Sequence, residues 1–331
     1  MLEKPHRDEA FGRIVDLDIS PLEYYKLVSN FNLLIQHELT EKLNQNKESL
    51  GTIVTFITPG SDARLEKGSF MSPLEVIAVT NTDLDLDAYR QSLIEVIEKV
   101  SPTVVAKIIE MKGPHSSLVT AYNNRYQPGR IADSRLIYGS ENVAKENKVR
   151  LGKEIINLRT SEVDKISSLK RDARKVIEKG GNRIAGTDAI HFDLQTGAMF
   201  YNPEAYQLSF KVGPLRLVQN TLLVEEIKHT RREKDANFLS TLDSSIVGRL
   251  NQLSDDQMIN LTRESVEEVA EHYAFFLRLY HRSERAYAQN KQIVLQLTPQ
   301  EITDVAKRLQ ALSALMEKFQ IHPPKQSRLR I

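Results

Sequence analysis

The 331-residue chain contains no cysteine and no tryptophan. The first absence excludes disulfides, thiolate zinc sites and cysteine nucleophiles together. Long apolar runs are missing too: nothing approaches the ~18 residues that a membrane-spanning helix needs, so no membrane partner is expected. Nor is there an excess of one charge. Forty-five Lys and Arg face 44 Asp and Glu, which leaves a net charge of +1 and no field to gather DNA or RNA. Nucleic acid is therefore an unlikely partner. The opening stretch MLEKPHRDEAFGR is charged and has no apolar signal core, so a cytoplasmic location is the default expectation. The tail HPPKQSRLRI is locally basic through Lys325, Arg328 and Arg330, and reads as a solvated terminus.

What is present is an ordinary globular composition, 40% hydrophobic and 27% charged, long enough for two domains. Ser20, Pro21 and Glu23 form a helix start, with Leu22, Tyr25, Leu27, Phe31 and Leu34 expected to supply the apolar face of an N-terminal helix within residues 1–50. β-like runs follow at 51–58, 74–79 and 103–111, with a helical pattern at 86–100. From about residue 140 the texture changes to long charged helical segments near 140–178, 214–235, 243–254, 262–291 and 298–319, interrupted by a strand-like patch at 187–212. The expected class is α+β: an N-terminal helix packing on an α/β-type unit at 51–145 with a small mixed sheet, then an all-helical bundle domain at 146–331.

The most informative stretch is GSDARLEKGSFMSPLEVIAV, residues 60–79. A Gly-Ser turn ahead of a helix presents backbone N–H groups suited to phosphate oxygens, and Arg64 stands close enough in sequence to pair with phosphate. Two carboxylates spaced i, i+2 at a strand end point to one face and can share metal ions. The plainer alternative is an ordinary turn with solvent-facing charges.

Gly60, Ser61, Arg64, Glu66 and Ser72 match the Gly-Ser motif of the nucleotidyltransferase superfamily. The stretch resembles most the form found in PII uridylyltransferases and glutamine synthetase adenylyltransferases. DSRLIYGS is similar to that group's Asp-x-Arg segment, which would make Asp133 the third metal carboxylate and Arg135 its companion. FKVGPLRLVQNTLLVEEIKHTRR is similar to the segment leading into the helical domain, through Lys211, Gly213, Pro214, Arg216 and Gln219. YAFFLRLYHRSERAYAQNKQ is similar to a Tyr-x-Phe-Leu-Arg-x-x-x-His-Arg helix. The resemblance implies transfer of a nucleoside monophosphate from an NTP to a protein acceptor. Glu75 and Asp133 would bind Mg²⁺ or Mn²⁺, and Gly60, Ser61, Arg64, Lys211 and Arg216 would contact nucleotide.

The chain departs from that pattern twice. Pro73 stands where the family has its first metal Asp, leaving Glu75 and Asp133 as a thin cage for a metal pair. Leu215 and Leu217 replace a glycine and an acidic residue. Asp83, Asp85 and Asp87 have metal-like spacing, but Asp85 or Asp87 reads equally well as a helix cap. Two functional expectations result: a nucleotidyltransferase with impaired catalysis, or a non-catalytic relative that senses nucleotide or scaffolds a protein partner. His272 and His281, nine apart on a helix, lie off one another's face, and Ser116 lacks a nucleophile elbow. Tyr273, Phe275, Phe276, Leu277, Leu279 and Tyr280 read as a buried helix face.

Overall fold

Helices α1 (Lys4–Asp16) and α2 (Pro21–Gln45) come first, then a one-turn α3 (Gly60–Ala63), α4 (Gln127–Ala132), α5 (Glu141–Ile156), α6 (Thr160–Glu178), α7 (Arg216–Glu233), a short α8 (Phe238–Thr241), α9 (Ile246–Asp255), α10 (Arg263–Asn290) and α11 (Pro299–Lys318). The computed structural model describes residues 4–50, 54–68, 74–80, 91, 93–97, 106–113, 115–116, 118, 127–178, 190–192, 198–201, 208–209, 211–290 and 295–323. The chain divides into two compact units. One gathers Met1–Asp18, Lys26–Asn157 and Ala236–Ser245, and the other Ile19–Tyr25, Leu158–Asp235 and Ile246–Ile331. The class is α+β, as expected.

In the first unit, β1 (Thr55–Thr58), β2 (Leu74–Val79), β3 (Ala106–Lys112) and β4 (Arg135–Tyr138) form a mixed sheet in the order β3-β2-β1-β4. β1 runs antiparallel to β2 and β4, whereas β2 and β3 are parallel. A parallel pair requires a crossover, and residues 93–97, inside the expected 86–100 segment, are helical. β2 is buried at five of its six positions, which is why it reads as a continuous apolar run. Phe56, Leu74, Val76 and Ala78 of the sheet pack with Leu39 and Leu43 of α2 and with Leu93 and Ile97.

α2 starts as its sequence dictates. The Ser20 hydroxyl accepts the Glu23 N–H at 3.3 Å, and the Glu23 carboxylate accepts the Ser20 N–H at 3.1 Å, a complete capping box. Its buried face is not the expected one. Tyr25 is buried and Phe31 half-buried, but Leu27 and Leu34 are exposed, and Asn32 and Gln36 take the covered positions. The reason is chemical: both amides donate to backbone carbonyls of the loop after β1, a role that leucine cannot fill.

The first unit extends to Asn157 rather than ending near residue 145, because α5 is packed into it. Asn147, Leu151 and Ile155 of α5 are buried, and Gly152 lies against Ala236 just ahead of α8.

The second unit is mainly helical, with breaks between α6 and α7 and between α10 and α11 that hold a second sheet. β5 (Ile190–Phe192), β6 (Ala198–Tyr201), β7 (Leu208–Ser209) and β8 (Leu295–Gln296) pair antiparallel in the order β7-β5-β6-β8. Three of these strands fall in the 187–212 patch that reads as strand-like, so helices alone do not account for this unit. α7 is buried around most of its circumference through Leu217, Val218, Leu222 and Ile227. It also buries Glu226 completely, compensated by Arg249 of α9, whose Nη1 donates to both carboxylate oxygens at 3.1 and 3.3 Å. Tyr273, Phe276, Leu277 and Leu279 are buried and Phe275 and Tyr280 half-buried, as expected for a core-facing helix. Among the described residues no helix is long and apolar enough to cross a membrane.

A Cβ at Gly152 would sit 2.2 Å from the Ala236 carbonyl oxygen, a backbone atom that cannot swing aside. Helix propensity alone would make Gly152→Ala stabilising by ~1 kcal/mol. The opposite is expected, a loss of about 1–3 kcal/mol in urea denaturation, because overpacking outweighs propensity. A stabilised variant would show that α5 and the segment at Ala236 are not in this contact.

Candidate functional site

The site begins where β1 ends. After Thr58 and Pro59 the chain turns through Gly60 at φ +60°, a conformation glycine adopts without cost, and makes the single turn α3. α3 closes in a Schellman arrangement: the Glu66 N–H donates to the Ser61 carbonyl at 2.9 Å and the Leu65 N–H to the Asp62 carbonyl at 3.1 Å. Leu65 stands in the left-handed position usually given to glycine, at φ +60°. That conformation costs about 1–2 kcal/mol for a non-glycine residue, offset by burial of the leucine side chain.

The turn brings Arg64 and Glu66 together two residues apart. Arg64 Nε donates to Glu66 Oε2 at 2.8 Å, and its Nη1 donates to Asp133 Oδ2 at 2.6 Å. Asp133 comes from the junction of α4 and β4, where its own N–H donates to the Gly129 carbonyl. Arg64, Glu66 and Asp133 are all buried, with Glu66 only 3% exposed. One guanidinium thus forks between two desolvated carboxylates, the planar geometry for which arginine is suited and lysine is not.

A second ion pair lies in the same turn. Asp62 Oδ2 accepts Lys67 Nζ at 2.8 Å and the Glu75 backbone N–H at 3.1 Å. Burial pushes the Asp62 carboxyl above its ordinary value of 3.8, against the pull of Lys67 and the Glu75 amide, and the nearby Glu75 carboxylate adds to the rise. Glu75, half-buried at the second position of β2, makes no side-chain hydrogen bond or ion pair among the described residues.

The surrounding backbone is tied down. Gln36 Nε2 donates to the Asp62 carbonyl at 2.6 Å, Asn32 Nδ2 to the Lys67 carbonyl at 3.0 Å, and Arg135 Nε to the Ala63 carbonyl at 3.1 Å. Thr58 Oγ1 donates to the Glu75 carbonyl at 2.8 Å and fixes the start of β2 to the end of β1.

Gly60, Ser61, Arg64, Glu75 and Asp133 therefore all belong to the first unit, with Arg64 and Asp133 in direct contact. Ser61 is exposed and Gly60 half-exposed. Lys211 and Arg216 belong to the second unit. Lys211 lies in a π-helical turn, Lys211–Leu215, with its ammonium 5.6 Å from the Tyr280 ring centroid, and Arg216 lies near the Tyr280 hydroxyl. Leu215 and Leu217 are buried, 3% and 1% exposed, so their apolar character serves packing. Ser72, Pro73, Asp83, Asp85 and Asp87 lie outside the described residues.

Asp62, Lys67, Asn32 and Gln36 were not among the sequence-based candidates. The last two carried a signal: polar residues four apart on a helix face that is otherwise apolar.

A Mg²⁺ or Mn²⁺ pair needs several carboxylate oxygens open to the ions. Here the Asp133 oxygen nearest Arg64 already holds a guanidinium proton, and Asp62 is committed to Lys67. Among the described residues no group of three His, Asp or Glu side chains converges. Among the described residues the donor set does not suit a two-metal centre. No protein-family model matches the chain and no curated protein matches it, so the likeness to nucleotidyltransferases rests on the sequence motifs alone.

Arg64→Ala removes the guanidinium that donates to two buried carboxylates, and breaking such a pair costs about 3–5 kcal/mol. Arg64→Lys should recover only part of this loss, since one ammonium cannot fork to both acids; full recovery in chemical denaturation would refute the fork. Asp62 gives a pH test with a definite sign. Its folded pKa is raised, so its contribution to stability is complete below about 3.8 and is lost as pH rises through the folded value. Wild-type stability relative to Asp62→Asn is expected to fall as pH rises above about 3.8. A flat difference would mean that Asp62 titrates as it does in the unfolded chain.

Proposed function

We propose that this protein is a nucleotidyltransferase-like module that has exchanged metal-dependent transfer for a non-catalytic role as a cytoplasmic protein-interaction scaffold. The observation that supports this reading most is the Arg64 fork. A permanent side-chain cation, 2.6 Å from Asp133 and 2.8 Å from Glu66, sits among the carboxylates at the place where the resemblance implies a metal ion. A tethered guanidinium neutralises buried acids, but held by Glu66 and Asp133 it offers phosphate oxygens no exchangeable position of the kind a metal ion supplies.

The loss of the carboxylate at Pro73 agrees with this reading. So does the pairing of Asp62 with Lys67. In this cluster Glu75 is the acid without a side-chain partner among the described residues, and one carboxylate does not supply the shared ligands of a two-metal centre. The Gly60–Ser61 turn keeps its shape because it starts the Schellman turn that positions Arg64 and Glu66.

Purified protein is to be titrated with ATP, CTP, GTP and UTP, each with and without Mg²⁺ or Mn²⁺, and followed by thermal unfolding. Binding at 100 times the dissociation constant stabilises by roughly 2.7 kcal/mol, a shift of several degrees. No metal-dependent shift is expected with any nucleotide. A shift abolished by Glu75→Gln, or metal-dependent transfer of label from an NTP to protein, would restore the enzymatic reading and overturn this one.

A further inference from the structure

The large hydrophobic residues that stand exposed among the described residues are Leu17, Leu27, Leu33 and Leu34. All four lie on α2 or in the link before it. Scattered single leucines on a surface need no explanation, but three of the four on one helix, with Leu33 and Leu34 adjacent, do. Within the first unit, the exposed positions of α2 include Lys26, Asn30, Leu33, Leu34, His37 and Glu41, spaced three and four apart as one stripe. Leu34 is the most exposed, at 68%.

We propose that this stripe is a self-association surface, on which α2 packs antiparallel against α2 of a second copy of the chain. The argument lies in the symmetry of the stripe. A two-fold axis between Leu33 and Leu34 sets each residue against the one equally far on the other side of that point. Leu33 then meets Leu34 of the second copy, Asn30 meets His37, and Lys26 meets Glu41. The apolar pair falls at the centre, a polar pair flanks it, and opposite charges close both ends.

The six exposed positions map onto one another under this operation, and the charges come out complementary. Moving the axis to lie between Asn30 and Phe31 pairs Leu27 with Leu34, but it sets Lys26 against half-buried Ile35 and Glu23 against Glu38. The first register avoids that like-charge contact. Glu41 is already held on this face by His37 Nε2 at 3.2 Å, so its carboxylate is oriented before any partner arrives. From Lys26 to Glu41 the stripe is about 22 Å long, and a single helix pair of this length buries less than the roughly 1,200–2,000 Å² of a standard stable interface. The association therefore belongs to the weak, concentration-dependent class.

Sedimentation of the full chain from about 1 to about 200 µM tests the surface. The mass is expected to rise with concentration toward two chains. Leu34→Glu should raise the dissociation constant at least about tenfold while leaving the far-ultraviolet spectrum and melting temperature unchanged, because the side chain is exposed. Lys26→Glu and Glu41→Lys should each weaken association, and the double exchange K26E/E41K should restore it to within about threefold of wild type. A monomer at every concentration would overturn the proposal and assign the face to a different protein. A dimer indifferent to Leu34→Glu, or one that the double exchange fails to restore, would overturn it by placing the contact elsewhere.

Discussion

The geometry of the first unit turns on one guanidinium held between two carboxylates that water does not reach. Neither Glu66 nor Asp133 can be ionised in that position alone, since an isolated buried charge costs several kcal/mol. Arg64 resolves this only because three separate pieces of chain deliver their groups to one place. The Schellman turn folds Glu66 back toward Arg64, the α4–β4 junction presents Asp133, and the amides of Asn32 and Gln36 hold the loop from the side of α2. Leu65 accepts a strained backbone angle in the middle of this assembly. Such strain persists where surrounding contacts over-determine it, and here they do.

The same constraint explains the chemistry of the site. A metal centre is useful because an ion keeps exchangeable positions for substrate oxygens, whereas an arginine held between two buried acids is fixed by them and offers none. The acids of the turn are engaged as well. Glu66 and Asp133 accept from Arg64 and Asp62 accepts from Lys67, while burial and the nearby Glu75 carboxylate push the Asp62 proton affinity upward against the pull of Lys67. The elements that resemble a nucleotide site thus build an internal electrostatic joint.

Much of the scaffold was legible in the sequence, and what was legible was local. The capping box at Ser20, the continuous apolar run of β2 and the amphipathic periodicity of α10 each rest on residues a few positions apart, so one sequence window contains the whole cause. The covered face of α2 was misread because Asn32 and Gln36 are buried for hydrogen bonds to residues some thirty positions away. Arg64 and Asp133 were each picked out as site residues, yet their contact spans 69 positions and no spacing rule announces it. The strands of the second sheet are two to four residues long, too short for alternation to distinguish them from irregular chain.

The two units bury charge by related means with different outcomes. In the second, Arg249 donates to both oxygens of Glu226, and the pair is buried against a helix that packs on most sides. Nothing about it asks for a ligand. In the first, one arginine serves two acids beside a third that is paired with Lys67 and a fourth that is half-exposed. A core designed only for stability would replace such a cluster by apolar side chains, which is often neutral or stabilising. Its presence at the turn that follows β1, in the order Gly-Ser-Asp-Ala-Arg, is the observation on which the proposal of a nucleotidyltransferase-like module without metal-dependent transfer rests.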